Sequence, residues 1–142
     1  MSDATAIVLL IGRILFIYMF VMSARGHIQN SQMLVNAAKS RGAPLPELGG
    51  WPVGVWMALG CASLLLGVFP DIGALMLAAW LPFPSIFIHS WWKIQDPAQR
   101  RSEQMAFNRN VTLLGASLAL FACFVALGHG LKLTITGPLL HF

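Results

Sequence analysis

Arg13 stands inside an apolar run that reaches from about Thr5 to about Ser23. An ionised group at that depth costs at least about 2.5–3.5 kcal/mol on insertion scales. Its guanidinium must snorkel to the near face, meet an acid, or bind an anionic or carbonyl-bearing group. It lies roughly 12 Å along the run at the α-helical rise, so snorkelling is within reach. The nearest acid on that side is Asp71, which makes Arg13–Asp71 the ion pair to look for. The functional alternative is an anchor for a quinone carbonyl, a lipid phosphate or an acid on a partner subunit.

His89 is the second such residue, in His89-Ser90-Trp91-Trp92 at the end of another apolar run. Imidazole titrates near neutrality, so it can hydrogen-bond or protonate a quinone head group. Pro82 and Pro84 lie just before it and disturb the backbone that carries it. Arg13, Pro82, Pro84, His89 and Trp92 are therefore the candidate lining of a ligand or partner site. His27 is on the same side as His89, and two histidines can ligate a haem. The placement of His27 beyond the first run, after Arg25-Gly26, argues against that. His129 and His141 read as tail residues or at most a weak metal site. Cys61 and Cys123 stand alone in apolar stretches and read as packing residues. No carboxylate pair, nucleophile–base arrangement, phosphate loop or H-x-x-E motif is present, so no catalytic or metal-ligating set is assigned.

The elements that must hold these residues follow from composition. Of 142 residues, 57% are hydrophobic and only 10% charged, against about 25% charged in a soluble domain. The mean hydropathy is +0.72. This excludes a soluble enzyme, a disordered tail and a disulfide-stapled secreted domain, and it requires a multi-pass membrane protein. One span takes about 20 apolar residues. The length accommodates four, at about 5–23, 51–69, 72–92 and 111–127, in one domain covering 1–142. The expected fold is an all-α bundle of four transmembrane helices. A short interfacial helix over Ile28–Ser40 follows span one, and span three is kinked at Pro82 and Pro84. Asp71 is expected to cap span three, and Asp96-Pro97-Ala98-Gln99 to start a helix that runs into span four. Small residues at four-residue spacing (Ala58 and Ala62, Ala74 and Ala78, Gly115, Ala119 and Cys123) predict close helix packing.

Charge sets the orientation. Arg25, Lys39, Arg41, Lys93, Arg100, Arg101 and Arg109 fall in the loops after spans one and three, and only Lys132 falls opposite. The cytoplasmic side carries the excess of Lys and Arg, so both termini face outward. Trp51, Trp91 and Trp92 then serve as interface anchors. The scattered net charge of +4 suits anionic lipid head groups and not nucleic acid.

Several segments resemble the DoxX family of small bacterial membrane proteins. They are Gly12-Arg13-Ile14-Leu15, Gly42-Ala43-Pro44-Leu45-Pro46, Leu64-Leu65-Leu66-Gly67-Val68-Phe69, His89-Ser90-Trp91-Trp92, and Phe107-Asn108-Arg109-Asn110-Val111 leading to Leu114-Gly115. They occur in the family's order and spacing from about residue 10 to 127. The resemblance implies a four-helix protein of the bacterial inner membrane in a redox neighbourhood. Its namesakes are linked to quinone-coupled sulfur oxidation and to oxidative-stress complexes. The family's usual glutamate early in span two is Met57 here. The leading expectation is a non-catalytic accessory or structural subunit of a membrane-bound redox or respiratory complex, packed against other integral membrane subunits. The alternative is a quinone-interacting subunit of an oxidoreductase, with quinone as its cofactor. A second alternative is a lipid or small-solute binder or transporter.

Overall fold

Ser2 opens the first helix by accepting a hydrogen bond from the backbone N–H of Thr5 at 3.2 Å, which satisfies one of the free donors of a helix start. In the computed structural model, which describes residues 1–140, this helix (α1) runs unbroken over Asp3–Gln29. No proline interrupts it, and its one early glycine, Gly12, does not stop it. A second helix (α2) follows at once over Ser31–Ser40. The expected short helix is thus present but begins later, because α1 extends six residues past the expected end of span one.

A 3₁₀ turn at Pro46–Gly49 leads into α3, Trp51–Leu66, with proline in its first turn. The exposed Glu47 in this turn pairs with Lys39 at 3.1 Å. Its own backbone N–H and the lysine hold its carboxyl below the usual range. Gly67, at φ +65°, closes α3. The fourth helix (α4) starts three residues later, over Pro70–Trp80. The α-helical run breaks at Leu81, and a π-helical turn occupies Pro84–Ile88. Each proline has removed a donor from this stretch. Asp96 caps the last helix, α5 (Pro97–Leu127), through its side chain to the Gln99 N–H at 2.8 Å, as expected.

Three stretches are long and apolar enough to cross a membrane: Asp3–Gln29, Pro70–Lys93 and Pro97–Gly130. The α3 helix is apolar but has 16 residues, about 24 Å at the helical rise, short of a ~30 Å hydrocarbon core.

The helices pack in the order α1 on α3, α3 on α4 and α4 on α5, and α1 and α5 share the core through Phe16, Phe20, Leu113 and Phe124. Ala6, Arg13, Ile17, Phe20 and Ala24 are the buried residues of α1, one stripe at three-, four- and seven-residue steps. Small residues do set the closest approaches, though not all those expected. Ala74 and Ala78 are buried, whereas Ala58, Ala62, Gly115 and Ala119 are exposed. The α3–α4 contact rests on Gly60 and Gly73. A Cβ on Gly60 would meet Leu77 Cδ2 at 2.9 Å, and one on Gly73 would meet Ser63 Oγ at 2.4 Å.

Candidate functional site

The two buried charges belong to the end of the molecule where the chain starts. Arg13 is fully buried, which overturns snorkelling. Its position on the inward stripe of α1 points the guanidinium into the bundle. One terminal nitrogen, Nη1, donates to the Leu64 carbonyl at 3.2 Å, and Nη2 donates to the Leu133 carbonyl at 2.8 Å. Leu64 lies in the last turn of α3, whose carbonyls lack intrahelical donors. That helix end carries roughly half a negative charge. The dipole of α3 and one tail carbonyl therefore answer the cation. Nε has no partner and is sealed from solvent.

Asp71 is equally buried and does not pair with Arg13. The ion pairs among the described residues are Lys39–Glu47, Arg41–Glu103 and Lys132–Asp3, and Glu103 is also hydrogen-bonded to His89. Nor does Asp71 cap α4, which has no side-chain cap. Its carboxylate accepts instead from the backbone N–H groups of Leu139 and Leu140, both at 2.9 Å. Between these two charges the tail from Leu131 to Leu140 lies as a strap across the α3–α4 turn. The N–H groups of Ile135, Thr136 and Gly137 bond to the carbonyls of Leu66 and Gly67 at 3.1–3.2 Å. The tail is otherwise irregular, as expected. Arg13 thus ties the strap to the end of α3.

At the other end of α1, about 21 Å further along the helix axis, a cavity of about 360 Å³ opens among α1, α2, the α4–π segment and α5. Its size falls within the ~300–1,000 Å³ range of small-molecule sites. Of the sequence candidates, it gathers His89 and Pro84. Pro82 is exposed and outside it. Trp92 packs edge-on against Phe107, with centroids 5.9 Å apart, and against Trp91, which lies under the Arg100 guanidinium at 5.3 Å. Both tryptophans form an aromatic cluster beside the basic first turn of α5. Trp51 is exposed at the start of α3, and its N–H is held by Ser31 Oγ at 2.8 Å.

The cavity also contains residues that sequence reasoning passed over. His27 lies in the last turn of α1, in the cavity wall. It continues the inward stripe three residues past Ala24, a register that a run apolar on every side does not reveal. Its Nδ1 contacts the Gly49 carbonyl at 2.7 Å. Gly54 makes room for it, since a Cβ there would meet the Ala24 carbonyl at 2.9 Å and His27 Cβ at 3.2 Å. The His27 ring stands perpendicular to Trp80, which stacks on Phe83 at 5.3 Å. Across the cavity, α5 contributes Arg109 and the buried Asn110, and α2 contributes Leu34, Ala37 and Ala38.

His89 follows the π-helical turn, and its N–H closes that turn on the Pro84 carbonyl at 2.8 Å. Its Nδ1 meets Glu103 Oε2 at 2.7 Å, and Glu103 Oε1 accepts from Arg41 Nη2 at 2.9 Å. Arg41 also donates to the Ile88 carbonyl. One carboxylate on α5 therefore orients the His89 ring and ties down the end of α2. No family model, curated protein or solved structure matches the chain. Among the described residues no three His, Cys, Asp or Glu side chains cluster as a metal site, and both cysteines are free thiols. His141 lies outside the described residues.

Proposed function

We propose that this is a DoxX-like protein of the bacterial inner membrane that holds a quinone-class head group as a component of a membrane-bound redox complex. One observation carries the reading. A mostly apolar cavity at the basic end of the bundle presents two histidines, each tethered through Nδ1, beside the stacked pair Trp80 and Phe83. A flat ring with polar edges and an apolar tail needs such a site: aromatic surface to lie against and a few placed hydrogen-bonding groups. In this reading all four long helices traverse the bilayer. The α3 helix completes its crossing with the flanking turns, and the irregular stretch around Pro82 and Pro84 is the kink that makes room for the ring. The basic loops and the cavity face the cytoplasm, and both termini face outward. The chain supplies a binding place, and the electron donor or acceptor belongs to a partner.

The test is extraction of bound lipids from protein purified in mild detergent. An isoprenoid quinone at near-stoichiometric amount, lost in both His27→Ala and His89→Ala, is the expected result. Quinone-free protein that binds no added short-chain quinone would end the reading.

A second reading, a non-catalytic docking subunit that stabilises a larger assembly, has its own support. Gly115 and Ala119 sit exposed on α5, and a Cβ on Gly115 would meet nothing within 4 Å. Such a face admits another helix closely. Gly115→Leu should leave the isolated protein folded and remove partner subunits from a native pull-down. Unchanged co-purification would count against docking there. A lipid or solute carrier, the third possibility, has no comparable support.

A further inference from the structure

His27 and His89 are fixed in one tautomer by what their Nδ1 atoms touch. The partner of His27 Nδ1 is a backbone carbonyl at 2.7 Å, which can only accept, so Nδ1 carries the hydrogen. The partner of His89 Nδ1 is a Glu103 oxygen at 2.7 Å, on a carboxylate already engaged by Arg41. An ionised carboxylate also only accepts, so this Nδ1 is a donor too. A neutral imidazole has one N–H. In the neutral form of each ring it is spent on the protein, which makes Nε2 the acceptor. Both rings line the same cavity. With both rings neutral the site offers two acceptors to its occupant, along with the permanent donor Arg109 and the ambivalent amide of Asn110.

This sorts the oxidation states of a ring ligand. The two oxygens of a quinone only accept, so they can meet Arg109 but neither imidazole. The two hydroxyls of a quinol each donate one hydrogen and still accept, so they can meet both imidazoles and Arg109. Resting on the cavity reading above, we propose that the site is built for the reduced, dihydroxy-aromatic form, whose hydroxyls donate to Nε2 of His27 and Nε2 of His89. A buried acceptor left unmatched costs about as much as a hydrogen bond gains. The quinol is therefore expected to bind about tenfold more tightly per imidazole engaged. By linkage, each tenfold raises the midpoint potential of the bound two-electron couple by about 30 mV, so the protein would hold quinol and release quinone.

The experiment is equilibrium binding to the purified full chain in detergent at neutral pH, under argon, followed by quenching of tryptophan fluorescence. The probes are decylubiquinone, its quinol, and the quinol's dimethyl ether, which keeps the shape but cannot donate. The expected order is quinol tightest by tenfold or more, with quinone and dimethyl ether close together. His27→Phe and His89→Phe should each reduce the ratio about tenfold, and His89→Gln, whose side-chain oxygen accepts, should restore part of it. Quinone equal to or tighter than quinol in the wild type would overturn the inference and leave the cavity reading intact. So would a dimethyl ether that binds as well as the quinol. Failure of all three probes to bind would remove both. The three-probe comparison needs only the wild-type protein, so it stands even if a variant fails to fold.

Discussion

Replacing Asp71 with asparagine should unfasten the C-terminal strap while leaving the bundle standing. The carboxylate is fully buried and accepts from two backbone N–H groups at 2.9 Å each. Hydrogen bonds to a charged group are worth about 1.5–3 kcal/mol each. Asparagine has nearly the same volume and keeps one of them, at the neutral value of about 0.5–1.5 kcal/mol. Its amide NH₂ then faces the second backbone N–H, donor to donor, and leaves that group unmet. The sum is about 2–4 kcal/mol against closure of the strap. Neutralising a buried carboxylate also relieves part of its desolvation cost, so the lower end applies. About 2 kcal/mol corresponds to roughly thirtyfold more frequent opening. Peptide-resolved hydrogen exchange of the detergent-solubilised protein reads this directly. Exchange over residues 131–140 should rise about thirtyfold, and that of the core around Leu64 and Leu77 should not change. Asp71→Glu, which keeps the charge, should give a smaller rise. Strap exchange that stays within threefold of wild type in Asp71→Asn would show that the carboxylate does not hold the tail, and the reasoning would fail.

Arg13→Lys keeps the charge but loses the fork that spans the Leu64 and Leu133 carbonyls. One lost charge-assisted bond predicts about tenfold faster exchange in the same strap segment. Gly67→Ala should be the more damaging change. The position is left-handed at φ +65°, and the new Cβ would lie 2.6 Å from Thr134 Cα. Strain and overpacking together predict a loss of about 2–4 kcal/mol, read as a lowered Tm and faster proteolysis of the tail. Glu103→Gln should leave the helices intact but free the His89 ring and the end of α2. The expected result is about tenfold weaker binding of the quinol probe, with little change in Tm.

Hydropathy, proline positions and the Asp96 cap located most of the helices, including the three stretches long and apolar enough to cross a membrane. The inward register of α1 was decided by packing, because apolar residues lie on every side of the helix. Ala6, Arg13, Ile17, Phe20, Ala24 and His27 follow steps of three, four and seven, and packing turns that face inward, with Arg13 at the strap and His27 at the cavity about 21 Å along the axis. Read by its length alone, the run gave no reason to set His27 beside a cavity. The small-residue spacing was less informative. The helix contact at Gly60 and Gly73 depends on which faces meet, and single-chain periodicity does not choose between that pair and Ala58 with Ala62.

The counter-charge of Arg13 could not have been read from residue types, because no side chain supplies it. A helix end and a backbone carbonyl 120 residues away do, and main-chain dipoles leave no mark in a sequence. The same holds for the tautomers of His27 and His89, which are set by Gly49 and Glu103 only once the chain has folded. Local chemistry and hydropathy, which are properties of short stretches, determined which segments are helical and which are apolar enough to cross a membrane. Pairings between distant stretches determined what its buried polar groups do, and those exist only after the helices have packed.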